Sequence, residues 1–347
     1  MWKYRSFLCA IVSITLFAQC DGVKDNGSDI ASAPIKVIFE TDMGNDIDDA
    51  LALDMLFKYM DDEVIDLLAI MNNKGSDYST HFIDMMCTWY GYPDIEIGRI
   101  ENGVTIDDYV DYAKNVFDIK EEGRTLFKES KEDHGALMQS HDLYRRVLSE
   151  QPDTSVTIIS VGFSTNLARL LGSSADQYAP LDGVELIKKK VKLLSVMGGS
   201  FGESKRKEFN IINDVESAQA VFEKWPTKII LSPFEVGRKI LFPAKAIEEN
   251  FSWSNRHPLV YAYHNYRPMP YDRPTWDLTS VLVVAEPTED FFHFSKPGFI
   301  SVTAEGYTNF ESGENGRDIV LSVDSLQADN VKNYFIDLIS RPPKSKI

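Results

Sequence analysis

Residues 40–50 read Glu-Thr-Asp-Met-Gly-Asn-Asp-Ile-Asp-Asp-Ala, which puts four carboxylates, Asp42, Asp46, Asp48 and Asp49, into eight positions. Crowded carboxylates repel one another unless they are solvated, protonated or paired with a cation. A hard divalent ion is the efficient partner, because carboxylate oxygens suit Ca²⁺ or Mg²⁺. No His or Cys lies nearby to argue for structural zinc. A second reading stays open at this level: aspartates at a helix start cap backbone N–H groups and complement the helix dipole. One or two of the four are covered that way; four are not.

The elements around this cluster must hold it in place. Residues 35–39 are apolar and β-branched and read as a buried first strand, and residues 50–60 read as an amphipathic helix. Further strands are expected over 66–71, 95–98, 156–161, 191–197 and 228–231. Helices are expected over 78–90, 141–148 and 216–224, and over 278–285 just after Asp277. Such alternation predicts an α/β fold, an open, mostly parallel crossover sheet flanked by helices. Residues 299–323 alternate around the Gly-rich stretch 312–316 and predict a small antiparallel C-terminal element, an edge or flap. Residues 101–134 carry weak patterning and predict an irregular segment.

With 347 residues and 44% hydrophobic content the chain can bury a sizeable core. Its 53 acidic against 36 basic residues, a formal charge of -17, oppose a general nucleic-acid role. Lys3 and Arg5 precede an apolar run over residues 7–18, which suits a secretory signal and is short for a membrane span. The stretch Leu16-Phe17-Ala18-Gln19-Cys20 resembles a bacterial lipoprotein cleavage site, so residues 1–20 are expected to direct export, with Cys20 as a lipid anchor. Residues 21–33 then form a tether and 34–347 a single domain. The expected location is the periplasm or a membrane surface. Cys87, in an apolar run, is expected to be a core thiol.

The segment from Asp42 to Leu53 resembles the N-terminal signature of the inosine-uridine preferring nucleoside hydrolase family, in which an aspartate, a glycine and paired aspartates precede an apolar helix. Asp42 matches the leading metal-binding aspartate and Gly44 the turn glycine. Asp48-Asp49-Ala50-Leu51 matches the paired acids and helix start, with two extra residues, Asn45 and Asp46, in between. The resemblance implies Asp48 as general base and Asp49 as metal ligand, with Asp46 able to take either role. The stretch from Val161 to Ala168 resembles the family's strand-end loop, where the matching Thr165 supplies a backbone carbonyl to calcium and Asn166 serves as a helix cap. Val196-Met197-Gly198-Gly199 followed by Glu208-Phe209-Asn210 resembles the ribose-binding region. Glu208 and Asn210 match residues that bind sugar hydroxyls, presented together from an extended edge if the chain is a strand there. Met197 is placed to line the sugar pocket. Asn213 and Asp214 read as turn or helix-start residues.

Asp277 matches a late calcium-binding aspartate. Trp276 stands where the family commonly carries a histidine that helps activate the departing base, and an indole is no general acid. The Asn72-Asn73 pair follows the second strand in an altered loop. Trp253, His257, Tyr261, Tyr263, His264, Tyr266 and Tyr271 crowd the approach to Trp276 and could stack on a base or form ordinary core. His264 is the leading replacement proton donor, ahead of Tyr266; His134 and His141 have no identifying spacing. The resemblance thus implies a Ca²⁺-dependent N-glycosyl hydrolase acting on a small nucleoside-like substrate, and is compatible with a homo-oligomer. The alternatives are a different metal-dependent hydrolase and a non-catalytic exported nucleoside- or sugar-binding lipoprotein.

Overall fold

A computed structural model of the chain describes residues 33–106 and 110–346. The expected signal segment with Cys20, and the expected tether up to residue 32, lie outside the described residues. Ten strands form the main sheet: β1 (Ile35–Thr41), β2 (Ile65–Asn72), β3 (Glu96–Gly98), β4 (Val156–Ser160), β5 (Val191–Met197), β6 (Lys228–Ser232), β7 (His293–Phe294), β8 (Gly298–Val302), β9 (Thr308–Ser312) and β10 (Asp318–Ser322). Their order is β9-β8-β10-β6-β5-β4-β1-β2-β3, with β7 beside β10. From β3 across to β10 every pairing is parallel. The antiparallel C-terminal element exists as expected, with β8 pairing β9, but β10 runs parallel to β6 and so extends the main sheet.

Alternation along each strand sorts side chains onto two faces. Val37 and Phe39 enter one apolar layer and Ile38 the other; Ile159 and Ile158 divide the same way. Helices cover both layers, which explains why these strands read as unbroken apolar runs. Helix α1 (Asp48–Asp61) packs on the first face beside α2 (Asp77–Tyr90) and the late helix α6 (Trp276–Ala285). Helix α3 (Thr165–Leu171), which follows β4, contributes Leu167 and Leu170 to the second. Several helices fill stretches where none was expected, among them α4 (Phe209–Ile212), α5 (Pro258–Tyr266) and the long helix Ser325–Ser340. The described part of the expected irregular segment 101–134 contains the short helix Tyr112–Phe117 and a two-residue hairpin pairing.

The chain direction changes beside β1. Crossovers run outward through β2 and β3 on one side and through β4, β5 and β6 on the other. Loops leaving β1 and β4 therefore part to opposite faces and open a crevice at the strands' C-terminal ends, where ligands of open α/β sheets bind. Asp42 follows β1 directly and Val161 follows β4. The crevice is where the sequence concentrates its acids.

Candidate active site

Gly44 turns the chain out of β1 with φ at +113°, a conformation that side chains rarely adopt. A Cβ there would meet Asp111 Oδ1 at 2.8 Å and Lys74 Nζ at 3.0 Å. Gly162 permits a second close approach, since its Cβ would lie 2.6 Å from the backbone nitrogen of Asp42. Gly162 thus brings the β4 loop against the β1 loop, and Gly44 lets the β1 loop pack against Lys74 and Asp111.

Helix α1 starts at Asp48 with Ile47 in the cap position, and Ile47 makes no side-chain cap bond. None of the four aspartates occupies the cap position of α1. Asp48 and Asp49 occupy the first turn of α1, and Asp277 the first turn of α6, which begins at Trp276 rather than after Asp277. The helices are packed side by side, so two positive dipole ends face one point. Carboxylate oxygens of Asp48, Asp49 and Asp277 all lie within 4.8 Å of one another. The backbone N–H of Asp277 donates to Asp48 Oδ2 at 3.2 Å, and Thr41 Oγ1 donates to Asp49 Oδ1. Asp42 lines the same cavity and accepts a 2.6 Å bond from Asn45 Nδ2. The other amide atom, Asn45 Oδ1, is buried with no partner. A cluster of buried oxygen donors with an orphaned carbonyl fits a hard divalent cation.

Electrostatics agree with that fit. Burial pushes Asp42 up to about 6, and burial followed by mutual repulsion holds Asp48, Asp49 and Asp277 well above the usual carboxylate range. A carboxyl raised in the folded state binds protons more tightly there than in the unfolded chain, so its stabilising effect is complete at low pH and is lost as pH rises. For Asp42 the window runs from 3.8 to about 6. Metal-free protein should therefore lose thermal stability as pH climbs through that window, and an added divalent cation should restore it most at the upper end. Melting curves at several pH values with and without metal check this; a metal-free melting temperature that rises from pH 4 to 7 would contradict it.

Across the cavity stand the expected sugar-binding residues. Glu208, Asn210 and Met197 line it, but not from an extended edge. Glu208 is the N-cap of the short helix α4 and accepts from the backbone N–H groups of Asn210 (3.0 Å), Ile211 (3.2 Å) and Gly199 (3.2 Å). A carboxylate has about four acceptor sites, so roughly one remains for a ligand hydroxyl. Burial pushes Glu208 up to about 7. Asn210 Nδ2 donates to the carbonyl of Val161 at 2.9 Å and reaches Met197 Sδ at 3.4 Å. Val161 itself lines the cavity. Thr165 does not: it begins α3, and its hydroxyl donates to Asp214. Asp214 caps the helix Val215–Lys224, as a helix-start residue should. Asn166 is no cap either; it sits inside α3 and its Nδ2 donates to Asn72 O at 3.0 Å, tying α3 to the end of β2. Asn73 is buried against Glu40 and Phe163 O.

One wall is aromatic. Trp276 stacks on Phe234 with ring centroids 5.5 Å apart, and its Nε1–H donates to Phe234 O at 2.9 Å. Arg273 clamps Asp46 through two nitrogens, with the Nε–Oδ1 bond at 2.7 Å, and its guanidinium lies 5.3 Å from the Trp276 ring. Arg206 sits over Phe234 at 4.4 Å. The cavity encloses about 290 Å³. His264 is not brought here; it is exposed on α5 and lines a separate concavity with Phe251 and His257. Tyr263 and Tyr266 are buried core residues, and His257 is buried against Trp89 and Tyr90. His134 also stands outside the acidic cavity. Burial raises the Cys87 thiol, which lies in the core as expected.

Comparison with known proteins places this geometry. Uridine nucleosidase 1 of Arabidopsis thaliana is 25% identical over 214 residues, 59% of this chain and 57% of that protein. Pyrimidine-specific ribonucleoside hydrolase RihA of Salmonella newport (strain SL254) is 33% identical over 101 residues, 28% of this chain and 29% of that protein. The chain thus spans a little over half of the one relative and under a third of the other. The solved plant nucleoside hydrolase PpNRh1 shares the fold with a TM-score of 0.68 at 20% identity, covering 89% of this chain and 100% of that one. Residues 37–332, from the first strand past Asp277, match the model for "Inosine-uridine preferring nucleoside hydrolase", and the chain belongs to that family.

Proposed function

We propose that the protein is a calcium-dependent hydrolase of the N-glycosidic bond of a ribonucleoside or related N-ribosyl compound, releasing base and ribose. The supporting observation is the shared cavity: three buried aspartates at two helix starts face Glu208, Asn210 and Met197 across one space. Asp42, Asp49, Asp277 and the carbonyl of Val161 would hold the ion, Val161 replacing Thr165 in that role because it lines the cavity. The all-oxygen donor set suits Ca²⁺. A cation there makes a nearby water more acidic and offsets the carboxylates' repulsion. Asp48, steadied by the Asp277 N–H, accepts the water's proton. Asp46, held by Arg273, is the less free of the two candidate bases. Glu208 and Asn210 hold sugar hydroxyls, and the acidic surroundings favour the positive charge that builds on the ribosyl ring.

The base would lie against Trp276 and Phe234. Because the Trp276 N–H is already spent on Phe234 O, that side chain cannot protonate a departing base. A substrate with a good leaving group should suffer less. A nitrophenyl riboside is expected to show a higher kcat than inosine or uridine, and Trp276→His is expected to narrow the gap if the imidazole reaches the base. Saturation kinetics on folded, metal-loaded protein check this, since a change confined to KM would report binding alone. Equal wild-type rates on both substrate types, unmoved in W276H, would contradict it.

The amino-terminal segment supports a further part of the proposal, export with lipid attachment at Cys20. Among the described residues no helix is long and apolar enough to cross a membrane. Labelled lipid found on Cys20 would support the anchor; a mature chain that begins elsewhere without lipid would reject it.

A further inference from the structure

We propose that His81, Glu129 and His134 form a second metal site, separate from the aspartate cavity, for a transition ion of the Zn²⁺ class. One donor atom from each lies within 4.8 Å of the others. His81 Nδ1 meets Glu129 Oε1 directly, and His134 Nε2 stands 3.7 Å from that same oxygen. A tetrahedral ion with bonds of 2.0–2.2 Å spaces its donors roughly 3.3–3.6 Å apart, so the His134–Glu129 spacing already suits it, while His81 and Glu129 must part to admit it. His134 is 8% exposed, and its Nε2 is buried with no hydrogen-bond partner while pointing at carboxylate oxygens. The two imidazole rings face each other with centroids 3.8 Å apart. Two cationic rings at that distance would repel, whereas two neutral rings can share one ion.

The sequence builds this site from two directions. His81 and Asp84 are three apart on α2 and so share a face. Asp84 is fully buried and accepts from Ser130 N (2.9 Å), Ser130 Oγ (2.6 Å) and Lys131 N (2.8 Å), which pins the segment carrying Glu129 and His134 onto the helix. Its Oδ2 lies 3.4 Å from His134 Nε2 and adds negative charge beside the ion while keeping those bonds. His81 and His134 also line a concavity of about 310 Å³ whose wall carries three acids, Asp77, Glu132 and Asp133, against one base, Arg99, a net acidic entry path for a cation. Imidazole nitrogens favour zinc-class ions over Ca²⁺ or Mg²⁺, so the two sites differ in the metal they select. Three protein ligands leave one coordination position open towards the concavity, and a bound ion ties the 129–134 segment to α2.

The test uses the full chain stripped of metal, saturated with Ca²⁺, and then titrated with Zn²⁺ by calorimetry and with Co²⁺ by visible absorption. The wild type is expected to bind one Zn²⁺ per chain and to give the visible bands of low-coordinate cobalt. His81→Gln, His134→Gln and Glu129→Gln should each weaken Zn²⁺ at least about tenfold without moving the Ca²⁺ titration. Glu129→Gln changes a half-buried loop residue and guards against loss of folding in the histidine variants, which circular dichroism checks. Zn²⁺ binding should persist in Asp49→Asn, which separates this site from the aspartate cavity. Absence of stoichiometric Zn²⁺ binding in the Ca²⁺-loaded wild type, or binding unmoved by H81Q and E129Q, would overturn the proposal.

Discussion

Asp49→Asn is expected to weaken divalent-metal binding by at least about 100-fold and to remove turnover with it, because a metal ligand supplies several kcal/mol of charge stabilisation. The substitution preserves shape, and Thr41 Oγ1 can still donate to Oδ1. Its effect on stability should run the other way. Buried and repelled by Asp42 and Asp48, the Asp49 carboxyl is held well above its ordinary range. A neutral amide escapes that cost at neutral pH, so metal-free D49N should melt above the metal-free wild type. Only the wild type should then gain stability on adding Ca²⁺. Calorimetric titration and melting curves read both effects. A variant that binds Ca²⁺ normally would remove Asp49 from the metal site, whatever its activity.

Asp48→Asn should lower kcat by about 10²- to 10⁴-fold, the range of a lost general base, while most metal affinity survives. The separation of these two effects is the point, since Asp48 and Asp49 are neighbours in one helical turn. Steady-state kinetics at saturating substrate, paired with metal titration, distinguish them. If D48N binds Ca²⁺ poorly while Asp46→Asn binds normally and loses turnover, the roles of Asp46 and Asp48 are exchanged. The Arg273 clamp on Asp46 argues against that outcome.

Much of the architecture can be read from the chain because its logic is local. Parallel strands buried on both faces must be short apolar runs, and the strands from β1 to β6 lie within one or two residues of where those runs put them. The aspartate cluster is equally legible, as four carboxylates between a strand and a helix need a common explanation. What sequence hides is whatever depends on distant loops or on backbone. Val161 reaches the cavity, and a main-chain carbonyl has no residue signature. Phe234 reaches it from the start of the short helix Phe234–Gly237, far in sequence from the acids, and Arg273 reaches it from a two-residue strand shortly before Asp277, where nothing in the sequence marks its pairing with Asp46. Glu208 and Asn210 were expected side by side on an extended edge, but that geometry holds only in a strand, and Glu208 instead caps a helix of four residues. His264 is close to Trp276 in sequence, yet the face of α5 it occupies is turned to solvent. The crowd of tyrosines before Trp276 fills the core because hydrophobic area, not stacking on a ligand, is the commoner use of an aromatic ring.

On the proposed function, the aspartate cavity uses a bound divalent ion to cleave ribosyl bonds with water. The most direct measurement follows free base and reducing ribose together, in phosphate-free buffer, from a nucleoside panel incubated with chelator-stripped protein before and after Ca²⁺ is added back. Base and ribose should appear in equal amounts only after Ca²⁺ is restored, and D49N should stay silent throughout. Nucleoside binding by metal-loaded wild type without release of base, or release that is indifferent to the chelator, would contradict the account.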